Sequence, residues 1–119
     1  MRSIGQAELE HHGDVLVARV VGEIDLSNVD DIEATISRSV KPETTGLLLD
    51  FTPTTYLDSA GIRMVFELAR RLEARRHRLR LVAGSETLVH RVITLTQLSD
   101  TVPVDGTVAD ALGALAASE

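Results

Sequence analysis

The residues best placed to do chemistry lie in the stretch "YLDSAGIRM", which begins at Tyr56 and leads into an amphipathic pattern. The side chain of Asp58 or Ser59 is suited to accept a hydrogen bond from a free backbone N–H in the first turn of a helix. Gly61 would let a neighbouring strand or loop approach that helix closely. Residue chemistry alone favours a simple helix cap here, because aspartate and serine are common at such positions.

Ser59 offers a second kind of chemistry, because its hydroxyl can accept a phosphoryl group. A phosphoserine carries about −1.5 to −2 charges at neutral pH, and the free N–H groups and dipole of a helix N-terminus stabilise it. The fold would then survive the modification while the charge of the surrounding surface changes. A partner docked on that surface would meet an unpaired charge and dissociate, so the switch needs no catalytic group. Modification at Thr52, Thr54 or Thr55 in the preceding segment stays open.

Catalytic and metal-binding patterns are missing from the sequence. There is no glycine-rich phosphate loop and no GxSxG motif, and the lack of cysteine excludes thiol catalysis and thiolate metal sites. The histidines lack metal-ligand spacing, and the adjacent pair fits a solvated strand or turn; they are His11, His12, His77 and His90. Asp58 could pair with Asp25 or Asp50, but the sequence supports turn and cap roles equally well. We therefore predict no enzyme activity, no catalytic residue, no cofactor and no metal.

Composition narrows the class of protein. A length of 119 residues fits one domain, expected to span residues 1–119. The formal net charge of −6 repels nucleic acid and anionic lipid, and an aromatic content of 3% argues against base stacking. No apolar run approaches the roughly 18 residues of a membrane span, and the N-terminal stretch lacks the apolar core of a signal peptide. We expect a cytoplasmic protein with no direct nucleic-acid contact.

The first half of the chain predicts two strands, a helix and a third strand. "QAELEHHGD" suits a short strand with a turn at Gly13, and the β-branched run at 14–22 suits a buried or half-buried strand. Apolar residues spaced by three and four from Ser27 predict a helix that Pro42 ends. "GLLLDF", from Gly46, is typical of a strand buried on both faces. The first turns of the helix carry acidic residues that complement its dipole, namely Asp30, Asp31 and Glu33.

The second half predicts three helices and two short strands. After a "TPTTYLDS" loop, a long helix should run from Ser59 to about Arg76, followed by the buried strand "LRLVAG". "SETLVHRVITLTQL" suits a helix capped by Ser85, "TVPV" an edge strand, and "TVADALGALAAS" a closing helix that begins near Gly106 or Thr107. The apolar stripe of the long helix comprises Ile62, Val65, Phe66, Ala69 and Leu72, with Met64 and Leu68 beside it. The face of the next helix is marked by Leu88, Val92, Leu95 and either Gln97 or Leu98.

The element order is therefore ββαβαβαβα. Such alternation predicts an α/β fold with a mixed, mostly parallel β-sheet of about four to five strands and about four α-helices. "LLLDF" leaves this sheet at a carboxyl end, where ligands and partners tend to meet an open α/β sheet. The loop that carries Ser59 starts from that edge.

Two motifs resemble the signatures of a known family. "GEID" at Gly22–Asp25, followed by a helix, and "YLDSAGI" at Tyr56–Ile62 look like the two signatures of the STAS domain. The resemblance is strongest to the stand-alone bacterial anti-sigma factor antagonists and covers nearly the whole chain, including the order of elements. Either motif alone is weak, but their combination at this separation is fairly specific.

The resemblance implies a partner-switching mechanism. In that family the dephosphorylated antagonist binds an anti-sigma factor and so frees a sigma factor for RNA polymerase. The anti-sigma factor is also a serine kinase that uses ATP, phosphorylation breaks the complex, and a phosphatase resets it. By position, Ser59 would be the phosphoacceptor, and Asp58 would position the serine or sense the phosphate. Asp25 would lie close to the same surface, and Gly61 matches the glycine of the motif.

Two positions depart from the family pattern. Ala60 stands where many antagonists carry a second serine or threonine, which leaves Ser59 as the one hydroxyl of the motif. Arg63 stands where many relatives have glycine, and its long cation would enlarge the contact surface, change the partner or favour phosphate. The predicted partner-binding residues are Asp25, Asp58, Ser59, Ala60, Gly61, Arg63 and Met64.

Other classes of function stay open. The chain could be a STAS accessory subunit of a transport or stress-signalling complex, without direct control of a sigma factor. The intact Asp58–Ser59 pair argues partly against this, because relatives that do not switch can lose the serine. A small enzyme or nucleotide-binding module is disfavoured by the missing motifs. The basic run at 70–80 suits a solvated helix end, with a patch for an acidic partner as the alternative.

Overall fold

The computed structural model describes residues 5–117, and these form one six-stranded sheet with four α-helices around it. The strands are β1 (Gln6–His12), β2 (Val15–Ile24), β3 (Gly46–Asp50), β4 (Thr54–Leu57), β5 (Arg78–Val82) and β6 (Val104–Asp105). The helices are α1 (Val29–Ser39), α2 (Ser59–Ala74), α3 (Leu88–Leu95) and α4 (Val108–Ala117), and a short 3-10 helix covers Leu98–Asp100.

The sheet is mixed and mostly parallel, which confirms the predicted fold class. Its order is β1-β2-β3-β5-β6, where β1 runs antiparallel to β2 and the other neighbours are parallel. The β1–β2 turn contains Gly13 at a φ of +62°, a left-handed conformation that glycine adopts without steric cost. β6 lies at the edge of the sheet directly after Pro103, where no further ladder partner is required.

One strand lies in a segment that was expected to be a loop. β4 pairs with the last residues of β2, beyond the point where β2 pairs with β3. The side chain of Thr54 is buried, and its hydroxyl donates to the carbonyl of Val20. Four residues rich in threonine show too little hydrophobic alternation to be told from a loop, so the pairing depends on the free edge of β2.

Helices cover both faces of the sheet. Because side chains alternate along a strand, Leu47 and Leu49 of β3 enter a large core with α1, α2 and α3, whereas Leu48 faces the other way. That second, smaller cluster is closed by Ala111 and Leu115 of α4. The prediction that "GLLLDF" is buried on both faces is therefore correct.

The buried face of α2 is rotated relative to the predicted stripe. Met64 and Leu68 are almost fully buried, whereas Phe66 is 37% exposed and Ala69 is only half-buried. The reason is that α2 packs against α1 as well as against the sheet, so the side of the helix that turns toward α1 is covered too. This rotation matters for the site, because it brings the first turns of α1 and α2 together.

The predicted cap of α3 is wrong, and its predicted face is only partly correct. Thr87, rather than Ser85, is the N-cap, because its hydroxyl oxygen accepts from the N–H of His90 at 3.1 Å. The buried residues are Val89 and Ile93, and Val92 is half-buried. Leu88 and Leu95 are 55% and 75% exposed, so this half of the predicted face points to solvent, whereas Leu98, just beyond α3, is fully buried. Both sets of residues have helical spacing, and spacing alone could not choose between them.

Candidate functional site

The start of α2 is capped by Asp58. Its Oδ1 atom accepts hydrogen bonds from the backbone N–H groups of Ala60 at 2.8 Å and Gly61 at 3.1 Å. Ser59 is the first residue of the helix and is exposed. Its hydroxyl makes no hydrogen bond within residues 5–117, so the cap and the candidate phosphoacceptor are separate side chains. Sequence reasoning had left open which of the two would cap the helix.

Gly61 lets this end of α2 lie directly on two strands. A Cβ atom at Gly61 would overlap the Leu57 side chain of β4 and would stand 3.3 Å from Cγ2 of Ile24 in β2. The predicted close approach of a strand is therefore present. It fixes the depth at which α2, and with it Ser59, sits over the edge of the sheet.

The "GEID" motif builds the neighbouring turn. Gly22, at a φ of +88°, lies at an irregularity in the pairing of β2 with β4. Asp25 shapes the turn into α1: its carboxylate accepts the N–H of Ser27 at 2.9 Å, and its carbonyl accepts the N–H of Val29 at 3.0 Å. The N–H of Asp58 donates to the carbonyl of Ile24 at 3.2 Å, so the two motifs are joined by a backbone hydrogen bond.

A groove of about 400 Å³ runs between the first turns of α1 and α2. The structure places five of the predicted partner-binding residues on it, whereas Asp25 and Gly61 do not line it. Met64 is 2% exposed and forms part of the floor. The predicted residues on the groove are Asp58, Ser59, Ala60, Arg63 and Met64.

Sequence reasoning missed the α1 side of the groove. Leu26, in the turn after "GEID", is 78% exposed and lines the groove, as does Val29 at the start of α1. A leucine in an otherwise polar turn was a usable signal. Asp30, Glu33 and Glu67 complete the lining, and the first two had been interpreted only as complements to the helix dipole.

Most charges along α2 are already paired. Glu67 pairs with Arg70 on the same helix, and Glu33 of α1 pairs with Arg71 of α2. Further along the basic run, Arg80 holds Asp105 through its Nε atom at 2.7 Å. Part of this run therefore stabilises helix and strand contacts and is not simply a solvated face.

The other candidate chemistry is engaged locally. Asp50 is buried and accepts the N–H and hydroxyl of Thr52, while the hydroxyl of Thr54 is buried against Val20. Asp58 is committed to its cap. Among the described residues, no three histidine, aspartate or glutamate side chains could hold a metal ion together. Within 5–117, no helix has the length and apolar character to cross a membrane.

Comparisons with known proteins agree with this architecture. The STAS domain model matches residues 6–111. An anti-sigma factor antagonist from Mycobacterium paratuberculosis is 28% identical, with 96% of this chain and 97% of that chain covered and a TM-score of 0.86. No match was found among curated proteins.

Two states of one antagonist are also similar. The unphosphorylated form of the anti-sigma factor antagonist SpoIIAA is 27% identical over 93% of this chain and 96% of that chain, with a TM-score of 0.77. The phosphorylated form of the Bacillus cell fate determinant SpoIIAA is 26% identical over 92% and 98%, with a TM-score of 0.69. The family match, the confirmed fold and the joined "GEID" and "YLDSAGI" motifs lead to one conclusion: the chain belongs to the STAS domain family.

Proposed function

We propose that this protein is an anti-sigma factor antagonist that is switched by phosphorylation of Ser59. In its unphosphorylated form it binds an anti-sigma factor with serine-kinase activity, which then releases a sigma factor. The observation that carries the proposal is the exposed Ser59, whose hydroxyl is unused by the cap and lies on the groove between α1 and α2. The similarity to anti-sigma factor antagonists supports the general role.

The protein is the substrate of the switching reaction and acts otherwise by binding. The Ser59 oxygen forms a bond to the γ-phosphorus of ATP, and the bond from that phosphorus to the bridging oxygen of ADP breaks. The hydroxyl proton passes to a base of the kinase. A phosphatase resets the switch when water cleaves the serine phosphate, which restores the hydroxyl and releases inorganic phosphate. Both steps would take place in the cytoplasm, where the kinase finds ATP.

Asp58 would hold the acceptor in place. Its carboxylate binds two backbone N–H groups, which fixes the helix turn from which Ser59 projects. The same bonds occupy two donors that a phosphate could otherwise have used. A phosphate on Ser59 would therefore find fewer free backbone N–H groups than at an uncapped helix end. It would face outward, toward the partner.

Phosphorylation would change the charge of the groove at the point of contact. Asp30, Glu33, Asp58 and Glu67 already make its lining acidic, and a phosphate adds about −1.5 to −2 charges. A partner that places an acidic group against the uncharged Ser59 would then meet a like charge, which costs several kcal/mol, and would dissociate. No rearrangement of the fold is needed.

A capture experiment tests the proposal. Wild type, Ser59→Ala, Ser59→Asp and Ser85→Asp would each be used to retain proteins from a lysate of the source organism, with identification by mass spectrometry. Ser85 is the matched control, because it is an exposed serine in the loop before α3. An anti-sigma kinase should be retained by all variants except Ser59→Asp. The proposal fails if Ser59→Asp retains the same partner as wild type, or if that partner is a transporter subunit, as an accessory STAS protein would show.

A further inference from the structure

We infer that Arg63 is the intramolecular partner of a phosphate on Ser59, an inference that rests on the proposed phosphorylation of that serine. Arg63 follows Ser59 by four residues in α2 and lines the same groove. Residues four apart on a helix are neighbours on one face, with Cβ atoms about 5–6 Å apart. The two side chains are therefore within reach of each other once a phosphate lengthens the serine.

Arg63 is available for this pairing because the other charges nearby are committed. It is exposed and has no carboxylate within ion-pair distance among residues 5–117. Glu67, one turn further along α2, is held by Arg70. Glu33, across the groove, is held by Arg71 of α2. Arg63 thus lines the groove as a cation that forms no ion pair with the described residues.

The order of the charges along α2 favours the pair. An acidic group that precedes a basic residue by four positions stabilises a helix more than the reverse arrangement. The planar guanidinium of arginine also matches phosphate oxygens with two parallel N–H donors. Asp30 is the remaining competitor on the groove, but it carries a single charge against the near-double charge of phosphate.

The pairing would allow phosphorylation of Ser59 to change the charge of the surface in two ways. In the unphosphorylated protein, the guanidinium of Arg63 is free to bind a carboxylate of the partner. After phosphorylation it turns to the phosphate, so the partner meets a new anion and also loses a cation. This gives Arg63, which departs from the glycine of many relatives, a role in switching.

The test installs phosphoserine at position 59 during synthesis, so no kinase is required. The second pKa of the phosphate would be measured by ³¹P NMR as a function of pH in the wild type and in Arg63→Gln, Arg63→Lys and Arg91→Gln. Asp30, Glu33, Asp58 and Glu67, the other titratable groups of the groove, are unchanged in all four proteins. Arg91→Gln is the matched control, because it removes an exposed cation of α3 that does not line the groove.

The pairing predicts a phosphate pKa that is about 0.3 units lower in wild type than in Arg63→Gln. Arg63→Lys should recover part of the difference, and added salt should shrink it. Equal pKa values in wild type and Arg63→Gln, or an equal rise in Arg91→Gln, would overturn the inference. If Arg63→Gln fails to fold, the Arg63 side-chain ¹⁵N resonance of wild type, compared with and without the phosphate, decides instead: a shift supports pairing and no shift refutes it.

The two proposals can fail separately. Loss of a pKa difference would leave the anti-sigma partner and its discrimination by Ser59→Asp untouched. Failure to capture a kinase would leave the measured phosphate–Arg63 pairing intact, since the phosphoserine was placed without one.

Discussion

The starts of α2 and α3 show the same capping chemistry with different surroundings. Asp58 caps α2 through two backbone N–H groups, and Thr87 caps α3 through one. An exposed side chain follows each cap, Ser59 in α2 and Leu88 in α3. Only Ser59 lies on a groove shared with a second helix. A capped helix end is therefore a common structural feature, and the candidate site arises from what packs beside it.

The starts of α2 and α3 differ in the elements that hold them in place. Gly61 brings α2 against Leu57 and Ile24, and the N–H of Asp58 ties it to the turn before α1. Gly84, before α3, has only Thr87 near its missing side chain, at 3.4 Å. The α2 end is positioned by two strands and a second motif, whereas the turn before α3 is held by a local bond from Thr87 to Gly84.

The largest difference should come from adding one methyl group at each glycine. Gly61→Ala should lower the free energy of unfolding by about 1 to 2 kcal/mol, because overpacking against Leu57 and Ile24 outweighs the gain in helix propensity. Gly84→Ala should change it by less than about 0.5 kcal/mol. Urea denaturation measures both. Equal stability of the two variants would show that the close approach at Gly61 is unimportant.

Substitutions of two exposed leucines should then have different effects on the affinity for the partner. Leu26→Ala should weaken binding of the captured anti-sigma factor by about tenfold, because burial of this exposed leucine against the partner would remove apolar surface from water. Leu95→Ala, on α3, should leave the affinity unchanged although Leu95 is similarly exposed. Titration calorimetry gives both affinities. A larger effect from Leu95 would place the interface on α3.

Removal of either cap should cost a similar amount of stability, but only removal of the α2 cap should affect phosphorylation of Ser59. Asp58→Ala and Thr87→Ala should each cost about 1 kcal/mol, since each leaves helix N–H groups without a partner. Only Asp58→Ala should slow phosphorylation of Ser59 by the captured kinase, measured as phosphate incorporated over time. Slowing by both variants to the same extent would indicate a general loss of stability instead.

The order of most elements could be predicted from the sequence, but β4 and the buried faces of two helices could not. Apart from β4, the order of strands and helices was predictable because hydrophobic periodicity marks the elements and glycine or proline residues separate them. β4 escaped because its pairing depends on the edge of β2 that β3 leaves free. The buried faces of α2 and α3 escaped because helical spacing does not say which neighbour a helix will meet. For α2 that neighbour is α1, and Met64 lies buried for that reason.

The candidate site was predictable on one side only. Asp58, Ser59 and Arg63 are close in sequence, so the single stretch "YLDSAGIRM" contains them all. Leu26 and Asp30 reach the groove through the packing of α1 beside α2, a contact between distant parts of the chain. A turn leucine was a hint, but its neighbour across the groove could not be identified from periodicity.

The most direct test of switching at Ser59 measures how tightly one partner binds two forms of this protein. The captured anti-sigma factor would be titrated with unphosphorylated protein and with protein carrying phosphoserine at position 59, at the same ionic strength. Phosphorylation should weaken binding by at least about 100-fold, equivalent to roughly 2.7 kcal/mol. Equal affinity for the two forms would contradict this prediction, and Ser59 would then be only the first residue of a capped helix.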